Sequence, residues 1–585
     1  MPRDVVSLYR NRLAKEEGAV IKDWGGKLSI GLAYPNCYRL GMSNLGFQVV
    51  YHLLNSRHDV VAERLFLPEG QEMSLYLQSG RTLVSLESQT PLQQFELIAF
   101  SLSFENDYPN ILNILEMGRI PLYSEERSDA SPFVMAGGVA TFLNPEPIAP
   151  FIDFFLMGEA EANLNEFIDH FLMFNTRGSN RREIARQLAG NMTTLYVPAF
   201  YEPKYGADGT LKSFLPKESG IPAKVKVARQ PSRKLPVAVS SIKTPDTVFG
   251  DKVLIELGRG CGRSCRFCAA GYVYRPPRVH SEADLRAAVD RTLFRGEQAG
   301  LLSPAVSDVQ GIETITALIL QKGGRFSVSS LRADSLSQVL IDHLKAAAQR
   351  TIAIAPEGGS ERLRKVINKH LTEAQILTTV KRIARTKDFD IRLYFLIGLP
   401  TETRSDVVGI IELAKTIKES MVGVSASRGS IGQIRLSVNC FVPKPFTPFQ
   451  WCGLEQVSCL KEKQKLLTKA LTKAGGIRVN TDRPKWAYIQ ALLALGDRRV
   501  GSILAMAHRF KGDWAKVLRS SRVNPDFFVY RPKGFDEILP WDFIDHGISK
   551  KHLKEEHTLA LKGEESECCH VGKCYRCGVC IEWKQ

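Results

Sequence analysis

Residues 253–278 read VLIELGRGCGRSCRFCAAGYVYRPPR. The short apolar run at the start predicts a β-strand, and the glycines after it predict a loop. On that loop Cys261, Cys265 and Cys268 stand with three and then two residues between them. Three thiolates fill three corners of a four-iron cluster and leave one iron open to a further ligand. A structural zinc site takes four ligands, and no nearby Cys or His supplies the fourth. A redox dithiol leaves the third cysteine without a part.

Working outward, residues 251–450 alternate candidate strands (DKVLIEL, GLLSPAV, RFSVSS, TIAIA, IRLYFLIG, IRLSVNCFV) with helical stretches such as EADLRAAVDRTLFRG and EAQILTTVKRIA. That rhythm predicts a parallel barrel or partial barrel, here a partial (β/α)6 barrel, with chemistry on the loops that leave the strand C-terminal ends. Residues 1–200 show a second alternating series, KLSIGLAY, FELIAFSLS, PFVMAGG and FFLMG among others, which predicts a Rossmann-like parallel sheet wrapped by helices. The stretch 201–250 is rich in Pro, Lys and Ser and reads as a linker. Residues 451–566 read as a mainly helical, basic C-terminal domain. Residues 567–585 form a cysteine-rich tail. The fold class is therefore α/β.

The tail, ECCHVGKCYRCGVC, places Cys569, Cys574, Cys577 and Cys580 at metal-ligand spacing, with Cys568 and His570 as alternative first ligands. Zinc and a second four-iron cluster fit this spacing comparably. The basic region before it favours a zinc knuckle. Cys440, Cys452 and Cys459 are isolated and read as packing residues.

The Cys-x3-Cys-x2-Cys loop, with aromatic Phe267 before the last cysteine, resembles the signature of the radical S-adenosylmethionine (SAM) superfamily. The resemblance implies a [4Fe–4S] cluster on Cys261, Cys265 and Cys268, whose open iron chelates SAM and cleaves it to a 5′-deoxyadenosyl radical. It also orders the later loops. Ser307 and Asp308 in SPAVSD correspond to the site for the cofactor's amino group and Arg332 in SSLRADS to that for its carboxylate. Glu357 and Gly358 in IAPEGGSERLRKVINK correspond to the ribose site, and Gly398 and Pro400 in FLIGLPTET to the adenine turn.

The amino-terminal phrases GLAYPNCYRLGMSNLG, VMAGGVATFLNPEP and LMGEAEANLNEF resemble the cobalamin-binding domain that precedes many such barrels. That resemblance implies cobalamin as a further cofactor, with Ser101, Gly137, Gly138 and Thr141 at motif positions. The family's Asp-x-His-x-x-Gly loop reads Asn36-Cys37-Tyr38-Arg39-Leu40-Gly41 here, without the His that ligates cobalt from below. Taken with VPKPFTPFQW, LPWDFIDHG and the terminal CGVC, the chain is similar nearly throughout to a family of uncharacterised fused radical SAM proteins. That family implies a separate companion protein as partner, beside a flavodoxin- or ferredoxin-type reductant.

The chain has 585 residues, enough for several cores, with 44% hydrophobic and 24% charged residues, as in soluble proteins. No apolar run approaches the ~20 residues of a membrane span, and the N-terminus has no apolar leader. A cytoplasmic protein with no membrane partner is expected. The net charge is +16, and between Trp451 and Pro525 there are 15 Lys or Arg against 5 Asp or Glu. Such a block suits a polyanionic partner or forms a solvated helix face. The expected function is a radical SAM enzyme that modifies an RNA or a component of the translation apparatus, with cobalamin-dependent methylation as the reaction. A small metabolite or lipid precursor as substrate, and a non-catalytic iron–sulfur scaffold for RNA, are the alternatives.

Overall fold

The computed structural model describes residues 4–175, 179–293, 296–426 and 429–582. The chain forms two compact units. One consists of Met1–Asp251, Leu492–Phe528 and Asp536–His546, the other of Lys252–Ala491, Val529–Phe535 and Gly547–Gln585. The segment 451–566 therefore contributes to both.

In the first unit, β1 (Leu28–Tyr34), β2 (Val60–Phe66), β3 (Leu97–Ser101), β4 (Phe133–Gly137), β5 (Phe154–Leu156) and β6 (Leu195–Tyr196) make one sheet in the order β2-β1-β3-β4-β5-β6. All neighbours pair in parallel except β5 and β6. Every residue of β1 and β2 is buried, as in a parallel sheet covered on both faces. β2 was hard to see in the sequence because Glu63 and Arg64 interrupt its run VVAERLF. Both are satisfied inside: Trp24 Nε1 donates to Glu63 at 2.9 Å, and Arg64 donates to Glu87 at 2.7 Å and to Glu16 at 2.6 Å. Buried charges persist where they find such partners. Since β1 lies between β2 and β3, the chain winds away in both directions from the C-terminal ends of β1 and β3. Doubly wound sheets open a ligand crevice at that point.

Within the stretch read as a linker, Tyr201–Tyr205 and Leu211–Pro216 pair as an antiparallel hairpin. Gly209 supplies its turn, with φ +79°.

In the second unit, β7 (Val253–Glu256), β8 (Gln298–Leu302) and β9 (Arg325–Val328) form one parallel run. β10 (Ser330–Leu331), β11 (Thr351–Glu357), β12 (Asp390–Ile397), β13 (Ile434–Cys440) and β14 (Ile477–Thr481) form another. Only Ser329 separates β9 from β10, and the two runs are the wall of the partial barrel. Helices fill the crossovers, and their starts are legible. Ser281, Ser337, Thr372 and Thr403 each accept the backbone N–H three residues on, at the heads of Glu282–Thr292, Gln338–Ala346, Glu373–Thr386 and Arg404–Ser425. Along β13 Ile434, Leu436, Val438 and Cys440 are buried while Arg435, Ser437 and Asn439 are half-buried. One face thus packs and the other stays polar, as the two-residue period of a strand requires. Among the described residues, no helix is long and apolar enough to cross a membrane.

Candidate active site at the cysteine loop

The loop leaving β7 is closed at its base, where Gly258 and Arg259 pair antiparallel with Arg278 and Val279. Gly260 has φ +80°, and a Cβ there would sit 2.6 Å from the Tyr274 carbonyl oxygen, so only glycine fits. Cys268 N–H donates to Cys265 O and Gly271 N–H to Cys268 O, each at 3.1 Å, which puts the last two cysteines on a tight turn.

Cys261, Cys265 and Cys268 are free thiols. Burial pushes the Cys268 thiol up to about 12, with Cys265 and Cys261 adding to the rise. Burial also raises Cys261, with Cys265 adding and Arg332 opposing. Among the described residues no three Cys, His, Asp or Glu side chains are drawn together as the ligands of a single ion are. The three thiols nevertheless share one loop and one electrostatic field, with Arg332 and Lys369 beside them. Three soft donors with cations to offset their charge fit a four-iron cluster with one open iron.

Charged side chains from the following loops converge on this one. Arg263 grips Asp308 with two bonds of 2.7 Å and reaches Asp334 at 3.2 Å. Burial acts to raise the Asp308 carboxyl, but the bonds from Arg263 outweigh it and hold the group below the usual range. Arg332 donates to both oxygens of Asp334 at 3.0 Å and to Lys369 O at 3.0 Å. Its backbone N–H donates to Ser307 Oγ at 3.2 Å. Glu357, with φ +65°, accepts from Lys369 Nζ at 3.4 Å. Asp308 is thus joined to the cysteine loop through Arg263, Ser307 meets Arg332, and Glu357 meets Lys369. Asp308 and Arg332 are engaged with protein partners, however, and Arg263, Asp334 and Lys369, which the sequence did not single out, complete the ring.

The glycines after Glu357 serve packing as well. Arg364 donates to Gly358 O at 3.0 Å, and a Cβ on Gly359 would lie 2.3 Å from Asp406 O, where the helix Arg404–Ser425 crosses. Phe267 packs on an apolar cluster that includes Ile367, Leu399, Phe441 and Ala560. On either side of Leu399, Gly398 and Pro400 line a cavity of about 570 Å³ together with Trp451, Cys452 and His557.

In the first unit, Ser101 and Gly137 are paired in register at the ends of β3 and β4. Gly138, with φ +105°, lies so close to residue 102 that a Cβ would stand 2.4 Å from Leu102 O. Thr141 is fully buried and donates its hydroxyl to Gly138 O at 2.8 Å. These two residues shape the turn, and the Thr141 hydroxyl is spent on the protein itself. Nearer the β1 and β3 crevice, Asn36 Nδ2 donates to Asp107 Oδ1 at 2.8 Å, and burial raises the Asp107 carboxyl to about 6, with Glu105 adding. Cys37 is buried, while Leu40, in the short helix Tyr38–Gly41 after β1, and Phe104, on the loop after β3, stay 42% and 44% exposed. Exposed apolar side chains flanking a crevice, with no imidazole on the loop, fit a corinoid held without a lower protein ligand.

The tail docks on the cysteine loop itself. Cys569 N–H donates to Gly262 O at 2.7 Å. Cys568 Sγ lies 4.0 Å from Arg263 O. Behind them, Arg266 pairs with Glu556 at 3.0 Å, Glu556 accepts from Ser566 Oγ at 2.8 Å, and Asn368 accepts from Ser566 N–H at 2.8 Å while donating to Ser264 O. Arg275 donates to Ser264 Oγ at 2.9 Å and to His552 Nε2 at 3.3 Å. Burial, with the Arg275 charge adding, pushes that imidazole down to about 4.

Residues 255–414 match the radical SAM superfamily, and residues 46–198 match the N-terminal region of radical SAM proteins. An uncharacterised protein of Methanocaldococcus jannaschii is 29% identical over 481 residues, which are 81% of this chain and 90% of that protein. A tRNA-2-methylthio-N(6)-dimethylallyladenosine synthase of Clostridium beijerinckii is 29% identical over 182 residues, 28% of this chain and 40% of that protein. Among solved structures, the radical SAM methyltransferase TsrM from Kitasatospora setae, with cobalamin and a [4Fe–4S] cluster bound, aligns with a TM-score of 0.43 at 12% identity. That alignment covers 72% of this chain and 77% of TsrM.

Proposed function

We propose, on the premise that this chain is a radical SAM enzyme, that it methylates an RNA or a component of the translation apparatus with cobalamin as carrier. The cluster, when bound, supplies the electron that splits SAM. Cys261, Cys265 and Cys268 hold it, and Arg263, Arg332, Asp308 and Asp334 set the charge around the SAM amino acid moiety. Glu357 and Lys369 would meet its ribose, and Phe267 and Leu399 would shield the site from water. Cobalamin, when bound, would carry the methyl group, and the β1 and β3 crevice with Leu40 and Phe104 would receive it. A flavodoxin- or ferredoxin-type protein delivers electrons, and a separate companion protein acts with the enzyme.

One observation carries the choice of a polyanionic substrate. Arg392, Arg435 and Arg478 are direct neighbours in register on β12, β13 and β14. Asp390 offsets the middle charge, lying 3.3 Å from Arg435, and a bound anion would offset the other two, since like charges facing each other across strands destabilise a sheet. The helix Val457–Ala474 beside β14 exposes Lys461, Lys465, Lys469 and Lys473, and Trp486 is 46% exposed after Arg478, Arg483 and Lys485. Cations with an aromatic side chain suit a nucleic acid. The Clostridium relative, named for a modified tRNA base, supports the same class.

The test is transfer of labelled methyl from SAM to RNA by the reduced, cobalamin-loaded protein, with RNA binding measured across salt concentrations. Label in RNA and binding that weakens steeply with salt are expected. Salt-insensitive binding together with turnover of a small molecule would replace the RNA by a small metabolite or lipid precursor.

A further inference from the structure

Cys568 and Cys569 are adjacent in sequence yet face different groups. Cys568 is turned to the central loop, with its thiol beside Arg263 O and with Arg263, Arg332 and Cys265 as its charged neighbours. Cys569 is turned to the tail, where burial raises its thiol, Arg275 opposes the rise and Cys577, Cys574 and Cys580 add to it. Cys577 and Cys580 are buried, at 3% and 6% exposure. The tail is folded on itself and on the helix Lys550–Lys562 by its own backbone bonds. Cys574 N–H donates to His570 O at 2.9 Å, Gly578 N–H to Tyr575 O at 3.2 Å, and Ser549 N–H to Cys577 O at 2.8 Å.

The contact with the central loop is made at backbone distance. Gly262 lies directly against the tail, since a Cβ there would meet Cys569 O at 3.0 Å. Arg275 is 3% exposed, stacks over Tyr272 and ties the Ser264 hydroxyl of the central loop to the tail's thiols. A structural ion has little to add here, because the Arg266, Glu556, Ser566 and Asn368 network already fastens the segment. The surroundings also do not suit a nucleic-acid knuckle. Glu564, Glu565 and Glu567 outnumber Lys573 and Arg576 across 563–580, and Arg576 is paired with Glu567 at 2.9 Å. What the segment offers is four soft thiols within twelve residues of chain, docked by Cys568 and Cys569 on the loop of Cys261, Cys265 and Cys268.

We propose that Cys569, Cys574, Cys577 and Cys580 hold a second iron–sulfur cluster, redox-active and coupled to the first across the Cys568–Cys569 peptide. The tail is then an electron-handling part of the active site. Zinc has no redox chemistry and would not serve that role. The inference rests on the radical SAM reading only for the identity of its neighbour.

The experiment uses the full chain, produced and reconstituted anaerobically, with iron, sulfide and zinc determined per chain and electron paramagnetic resonance recorded after reduction. The parent protein is expected to hold about eight iron atoms as two four-iron clusters. A variant with Cys261, Cys265 and Cys268 all changed to Ala is expected to keep about four, on the tail. Cys574→Ala with Cys577→Ala is expected to keep the other set. Each of these variants should give the signal of an isolated cluster, and the parent a spectrum broadened by interaction between the two. Adding Cys568→Ser to the first variant should leave its iron unchanged. One zinc per chain retained by the variant lacking the three central cysteines, or loss of all iron from it, overturns the proposal. Loss of its iron on Cys568→Ser overturns the ligand set. Failure of the radical SAM reading has a different signature, in which the tail double variant holds no iron while the central variant keeps its full load.

Discussion

At the scale of single residues, the charges that matter most are those without access to water. Arg266 and Glu556 are buried at 0% and 4% exposure and are 3.0 Å apart. Removing one partner leaves the other charge buried and alone, at a cost of about 3–5 kcal/mol. Glu556→Gln is therefore expected to lower the melting temperature and to open the helix Lys550–Lys562 and the tail to hydrogen exchange. Unchanged protection there would contradict the fastening role. Asp107 makes the opposite case. Burial raises its carboxyl to about 6, above the unfolded value of about 4, so the folded state favours the proton. Ionising it costs stability as pH rises from about 4 through 6, and the cost is full above that, about 2–3 kcal/mol. Asp107→Asn should raise the melting temperature at pH 8 and leave it unchanged at pH 4. An equal effect at both values would contradict the assignment. The order of Ser307, Asp308, Arg332 and Glu357 was legible because each stands at or after the end of a strand. Their actual partners were not, since Arg263, Asp334 and Lys369 carry no signal of their own until the loops meet.

At the scale of elements, legibility followed burial. β13 alternates buried apolar with half-buried polar residues and was readable. β14, with only Ile477 buried among IRVNT, looked like part of a basic helical region because a polar strand at the end of a sheet lacks an apolar period. Its neighbour, the helix Val457–Ala474, was readable from Leu460, Leu467 and Leu471, which are buried. The exposed lysines of that helix belong to its outer face. Changing Lys465, Lys469 and Lys473 together to Glu should weaken RNA binding and reduce the steepness of its salt dependence by roughly one unit for each phosphate no longer neutralised. It should not alter the melting temperature by more than a degree or two, since surface substitutions cost little. Unaltered RNA affinity would remove this helix from the interface.

At the scale of the whole molecule, two α/β units are built from interleaved stretches of chain. Strands such as β1 and β13 were legible in the sequence because their apolar residues are buried, whereas β2 and β14 were not. The sequence did not reveal that 451–566 is shared between the two units, since composition records charge and not which core a segment joins. The tail was legible as a cysteine motif, while its place on the central loop depends on Gly262, Asn368 and Glu556, which are distant in sequence. All of this serves one claim, that the loop of Cys261, Cys265 and Cys268 starts a radical reaction. The direct measurement is formation of 5′-deoxyadenosine from SAM by the anaerobically reconstituted, reduced protein, set beside Cys265→Ala. The account predicts reductant-dependent product from the parent and at least a hundredfold less from the variant. No product from a parent protein that holds its iron, or equal product from both, would contradict it.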